Sequence, residues 1–193
     1  MPIKTKRTYY QLQITLQHIE PPIWRRMLVP GGITFHKLHK IIQAAFDWQD
    51  YHEYSFQFED FLVILPNPDF QFHETEKNPK KFKLEQVIDE YCQFTYEYDF
   101  GDGWEHEMIF EKAVQLEEEV HHPVCLDGER HRPPEDVGGP GGYEEFLRVI
   151  RDPEDEDHDH MLLWAEKDTG GRKFDPEYFY RQAANRKLAK ITC

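Results

Sequence analysis

Residues 94–110 constrain the fold more than any other stretch. Phe94, Tyr96, Tyr98 and Phe100 alternate with Thr95, Glu97 and Asp99; Gly101-Asp102-Gly103 follows, and then Trp104, His106, Met108 and Phe110 alternate with Glu105, Glu107 and Ile109. Period two is strand periodicity, and an Asp-Gly step between two such runs signals a hairpin, so an antiparallel pair with one aromatic face is required. A two-residue turn would set Tyr98 against Glu107 and mix the faces. A three-residue loop with Gly103 left-handed sorts them, pairing Phe100 with Trp104, Tyr98 with His106, Tyr96 with Met108 and Phe94 with Phe110. The other face then holds Asp99 opposite Glu105 and Glu97 opposite Glu107. Opposed like charges need an offset, and Arg25 and Arg26 or a metal ion are the candidates.

Other segments extend this sheet. Tyr10, Leu12, Ile14 and Leu16 alternate with polar residues, Trp24 to Val29 follow the Pro21-Pro22 break, and His52 to Phe58 carry the alternation again, with Phe61 to Leu65 as a partner. Thr34 is a good N-cap, and Phe35, Leu38, Ile41, Ile42, Ala45 and Phe46 recur at helical spacing. Leu84 to Tyr91 suggests a short helix. Residues 66–82 and 115–136 read as loops. Gly138-Gly139-Pro140-Gly141-Gly142 forces an irregular chain before a helix at Tyr143, Phe146, Leu147 and Ile150. Asp175 as N-cap, Pro176 at N1 and a Phe174–Phe179 staple predict a final helix with a basic tail. The expected fold class is α+β: one domain over 1–193 with a twisted antiparallel sheet, helices mainly on one face, and residues 1–7 and 191–193 as flexible ends.

The charge balance narrows function. Thirty-seven acidic residues against 23 basic ones give −14, a field that repels phosphates and disfavours nucleic acid as a partner. DNA binding would need Lys4 to Arg7, Arg25-Arg26 and Arg181 to Lys190 to converge. No stretch approaches the ~20 apolar residues of a membrane helix. With three scattered cysteines the expectation is a reduced, cytoplasmic chain without a membrane partner. Ser55 is the one serine and lies inside an aromatic strand, so serine nucleophile chemistry is set aside.

Three motifs in order carry a family resemblance: Pro21-Pro22-Ile23-Trp24-Arg25-Arg26 with Leu38-His39, then Tyr98-Asp99-Phe100-Gly101-Asp102-Gly103-Trp104-Glu105-His106, then Pro133-Pro134-Glu135-Asp136-Val137-Gly138-Gly139 with Tyr143. Together they resemble the plasmid pRiA4b ORF-3-like family, also labelled as an insertion-element passenger protein, TnpR. The resemblance implies an α+β fold and a link to plasmids or mobile elements, and it implies no reaction. Where family members often carry Cys before Pro-Pro-Glu-Asp, this chain has His131-Arg132, which argues against a thiolate metal site shared with Cys125.

Chemistry concentrates in the two acidic motifs. Asp99, Asp102, His106, Glu135 and Asp136 are oxygen and imidazole donors and are the catalytic candidates; Asp102, His106, Glu135 and Asp136 are also the candidate metal ligands. Each also has a structural role open to it, in turns, loop caps or ring stacking. Trp24, Arg25, Arg26 and Trp104 are the candidate binding residues, as forked donors and stacking surfaces. The leading expectation is a non-enzymatic interaction module with a protein partner and no cofactor. The alternative is a metal-dependent hydrolase or phosphodiesterase holding a divalent ion where the two motifs meet.

Overall fold

The computed structural model describes residues 7–67, 69, 73–116 and 122–193. The basic start through Lys6, residues 117–121 and part of the loop before residue 73 lie outside the described residues. Eight strands form one sheet in the order β5-β4-β3-β6-β7-β1-β2-β8. They are β1 (Arg7–Leu16), β2 (Ile23–Pro30), β3 (Tyr54–Gln57), β4 (Leu62–Ile64), β5 (Glu76–Lys77), β6 (Gln93–Tyr98), β7 (Trp104–Leu116) and β8 (Val124–Glu129). The pairings are antiparallel except the edge pair β4/β5, which is parallel, so the sheet is mixed.

One face is the core. Tyr10, Leu12, Ile14 and Leu16 of β1, Phe94, Tyr96 and Tyr98 of β6 and Trp104, His106 and Met108 of β7 are buried in alternation, as period two requires. Helix α1 (Phe35–Phe46) covers them; the Thr34 hydroxyl accepts the Lys37 N–H at 3.2 Å, and Phe35, Leu38, Ile41, Ile42, Ala45 and Phe46 are all buried. Three further helices follow: α2 (Gly139–Arg151), α3 (His158–Asp168) and α4 (Arg181–Leu188).

The hairpin register differs from the expected one by two residues. Tyr98 pairs with Trp104, Tyr96 with His106 and Phe94 with Met108, leaving 99–103 as the loop and Phe100 42% exposed. Gly103 is left-handed as expected, at φ 67°, but Asp99 is left-handed too, at φ 58°; its Oδ1 accepts the N–H of Gly101 at 3.0 Å and its carbonyl the N–H of Gly103 at 2.7 Å, so the loop closes on Asp99. A shift of two keeps every side chain on its face.

The segment expected to open the last helix does not. The Asp175 carboxylate accepts the Glu177 N–H, but the Pro176 carbonyl accepts the His131 N–H at 3.0 Å and Glu177 binds Arg130; these last two tertiary bonds hold Asp175 to Tyr178 as a turn, and α4 starts at Arg181. Within 115–136, β8 is a strand rather than loop. Gly128 hides it from the pattern, since a Cβ there would stand 2.7 Å from the Trp24 carbonyl. Leu84–Gln86 is a single 3-10 turn. Ile191 packs against the core, and the Thr192 carbonyl accepts from Lys37 at 2.8 Å, so the last residues contact the body.

Candidate metal centre

The two acidic loops meet above one end of the sheet. Asp102 Oδ2 accepts the Gly138 N–H at 3.1 Å, joining the hairpin turn to the Pro133–Gly142 segment. Gly139, at φ 69°, makes the approach possible, because a Cβ there would stand 2.5 Å from the Asp102 carbonyl. Asp102 is thus the tie between the loops.

The tie brings Asp99, Glu135 and Asp136 around His52. His52 Nε2 lies 3.2 Å from Asp136 Oδ1, 3.4 Å from Asp99 Oδ2 and 3.9 Å from Glu135 Oε2. The donor atoms of His52, Asp99 and Asp136 all fall within 4.8 Å of one another. Bonds of about 2.0–2.2 Å to a common ion at tetrahedral or octahedral angles put donors about 2.8–3.6 Å apart. The His52–Asp136 and His52–Asp99 separations match, and Glu135 stands just beyond.

Glu135 is the most constrained of the four. It is 3% exposed. Its Oε1 accepts the Gln49 N–H at 2.6 Å, while Oε2 is buried with no hydrogen-bond partner. Burial, ahead of its other neighbours, pushes the Glu135 carboxyl above its usual range. Asp168 closes a ring beneath it: Asp168 Oδ1 accepts Gln49 Nε2 at 2.6 Å and the Glu135 N–H at 3.4 Å, and Oδ2 accepts Arg132 Nη1 at 2.7 Å. Tyr51 donates to Asp136 Oδ2 at 3.0 Å. Asp99 and Asp136 both have positive φ, 58° and 56°, the kind of backbone cost that clusters at functional sites.

The remaining candidates fall elsewhere. His106 lies in the core, donating Nδ1–H to the Trp104 carbonyl at 3.0 Å and accepting the Trp48 indole N–H at 3.3 Å, so neither nitrogen is open to an ion. Arg25 points into the core, not onto the polar face, and donates to the carbonyls of Trp24, Ala45, Glu129 and Arg130 between the rings of Phe46 and Phe179. Arg26 grips Glu111 with two nitrogens and lies over Trp24, whose indole donates to Glu129. Trp104 is fully buried against Trp48. Neither arginine offsets the acidic hairpin face. Glu97 accepts from Gln57 at 2.6 Å, Glu107 from Gln93 at 2.7 Å, and Glu105 faces His18. Cys125 is buried, with its thiol pushed up to about 11 by burial. The alternation puts His52 inside an aromatic strand and so hides it; β3 begins only at Tyr54, which leaves His52 in the loop before it, and no sequence signal marks it.

An α+β protein with a mixed eight-stranded sheet, helices on its core face and a histidine–carboxylate cluster at one end is the class that these features define. The chain belongs to the plasmid pRiA4b ORF-3-like protein family, which matches residues 8–183. It is 38% identical over 160 residues to the uncharacterized protein y4hQ of Sinorhizobium fredii, covering 80% of this chain and 79% of that one. It is also similar to the crystal structure of MM3350, a protein of unknown function from Methanosarcina mazei Go1. The TM-score is 0.80 at 37% identity, over 92% of this chain and 98% of that one. No helix among the described residues is long and apolar enough to cross a membrane.

Proposed function

We propose that His52, Asp99 and Asp136 hold one divalent cation and that the protein is a metal-dependent hydrolase acting at that ion. The observation that carries this reading is the convergence of three carboxylates on one imidazole nitrogen, with Glu135 Oε2 buried and without a hydrogen bond. Three carboxylates this close repel one another, and an uncompensated buried polar group is costly, so a cation is the natural complement. One nitrogen and hard oxygens favour Mn2+ or Zn2+ over Ca2+. The ion would supply Lewis acidity and a lowered pKa for water. Glu135, set back at 3.9 Å and fixed through Gln49 and Asp168, is placed to take a proton at Oε2. Tyr51 orients Asp136.

A second reading keeps the chain a non-enzymatic, plasmid- or mobile-element-associated accessory module binding a protein partner. Tyr51 and Phe100, 54% and 42% exposed and adjacent in the chain to His52 and Asp99, support it. A DNA-binding role has less support, since Arg25 is buried and Arg26 is engaged by Glu111.

Hydrolysis of bis(p-nitrophenyl) phosphate by the Mn2+-loaded protein separates the first two. The hydrolase reading expects turnover that EDTA abolishes and that Glu135→Gln lowers by about 10²–10⁴-fold, the usual worth of a general base, with Mn2+ still bound. Bound Mn2+ without turnover of this or an ester probe favours the accessory module.

A further inference from the structure

A hollow of about 400 Å³ lies between α2 and α3, with Val137, Phe146, Val149, Met161 and Trp164 as its apolar walls and Asp136 also in its lining. The hollow opens to solvent: Val137, Met161 and Trp164 are half-buried, and Asp136 and His160 are exposed. The volume lies in the range of small-molecule sites, of the order of 300–1,000 Å³, and is far too small for a protein segment. Among its lining residues Asp136 also faces His52, so hollow and metal centre share a residue. Helix α3 adds a second link. One turn after Trp164 it supplies Asp168, whose carboxylate accepts the Glu135 N–H.

We propose that this hollow seats the apolar part of the substrate, an acyl or aryl group whose polar, ion-seeking end reaches the His52 centre. The inference rests on the metal reading above and deepens it by naming the substrate class: a molecule with an apolar tail and a hydrolysable oxygen-rich head. The lining fits that division. Apolar residues of both helices line it, and of its two carboxylates, Asp136 and Glu145, Asp136 is the one that also faces His52; His160 is the remaining titratable group on the walls.

Two hydroxamates test it, since both chelate metal identically and differ only in the tail. Isothermal titration of the Mn2+-loaded protein should show octanohydroxamate binding at least about tenfold tighter than acetohydroxamate, a modest return on six buried methylenes. Met161→Trp, which fills the hollow, should remove that preference and leave the acetohydroxamate and Mn2+ affinities within about twofold. Trp164→Ala should weaken the octanoyl ligand alone. Equal affinities in the wild type, or a preference that survives Met161→Trp, overturns the proposal. The Trp164 indole N–H resonance, followed with octanohydroxamate in EDTA, keeps the two readings apart. No Mn2+ uptake with a shifted Trp164 signal means that the metal reading fails and the hollow stands; Mn2+ uptake with an unmoved signal and no tail preference means the reverse.

Discussion

Asp168 and Glu135 are joined by a hydrogen bond from the Glu135 N–H to Asp168 Oδ1, and the same oxygen takes Gln49 Nε2, whose own backbone N–H holds Glu135 Oε1. The ring leaves Oε2 as the free end of a fixed carboxylate. Gln49→Ala removes one arm at an exposed position and so should leave Tm nearly unchanged. Mn2+ affinity or turnover should fall about 10–100-fold, as changes to groups that orient a metal site typically produce. Unchanged values in both assays would show that the ring is only scaffolding.

His52→Ala and His106→Ala should separate centre from core. His52→Ala removes the shared nitrogen and should reduce Mn2+ affinity by more than that 10–100-fold range, with stability changed by under about 1 kcal/mol. His106→Ala empties a space between Phe46, Tyr96 and Trp48 and should cost about 2–4 kcal/mol in urea unfolding while the folded protein still binds Mn2+. The opposite pattern would place the ion at the hairpin.

Asp102→Ala should loosen both loops at once. Losing the bond to the Gly138 N–H costs about 1 kcal/mol of stability, and Mn2+ affinity should weaken as Asp99 and Asp136 lose their common anchor. Gly139→Ala should cost more than Asp102→Ala, since it adds a clash at 2.5 Å and a positive φ. Thermal melts and Mn2+ titration of both variants check this ordering.

Three buried histidines set an acid limit on stability. His39 donates Nε2–H to Asp50 and accepts the Tyr96 hydroxyl; His106 accepts Trp48; His131 donates to the Arg132 carbonyl and accepts Arg172. Each ring is held neutral, and burial lowers them to about 4, 4 and 3. Their folded pKa values lie below the unfolded value of about 6.5, so the unfolded chain binds more protons in that window. Stability should be full above pH 6.5 and fall towards pH 4, by up to about 1.4 kcal/mol per pH unit for each ring. Urea unfolding at pH 7, 6, 5 and 4 measures the slope. A flat profile would mean that the rings are not neutral in the folded state.

Much of this was legible in residues. Alternation at Tyr10 to Leu16 and Phe94 to Met108 gave strands and faces, and Thr34 with its apolar spacing gave α1, because period and caps are local. The hairpin register was not: Gly103 is left-handed as the pattern requires, but Asp99 is left-handed too and its carbonyl takes the Gly103 N–H, which lengthens the loop. The turn at 175–178 was set by long-range bonds at Pro176 and Glu177, and β8 by a close approach to Trp24 that only Gly128 allows, none of which a local signal carries. At the centre, Asp99, Glu135 and Asp136 could be singled out as acids in distinctive motifs. Their meeting with His52 depends on Asp102 reaching Gly138, a contact between residues 36 apart. Arg25 looked like a surface fork because strand alternation alone does not say which face is buried.

His52, Asp99 and Asp136 form the proposed seat of one divalent ion. Titrating Mn2+ and Zn2+ into untagged, EDTA-treated protein by calorimetry, with His52→Ala alongside, tests it most directly. One site per chain and a rise in Tm on saturation are expected, with loss of both in His52→Ala. Equal binding by wild type and His52→Ala, or no binding by the folded wild type, would contradict it.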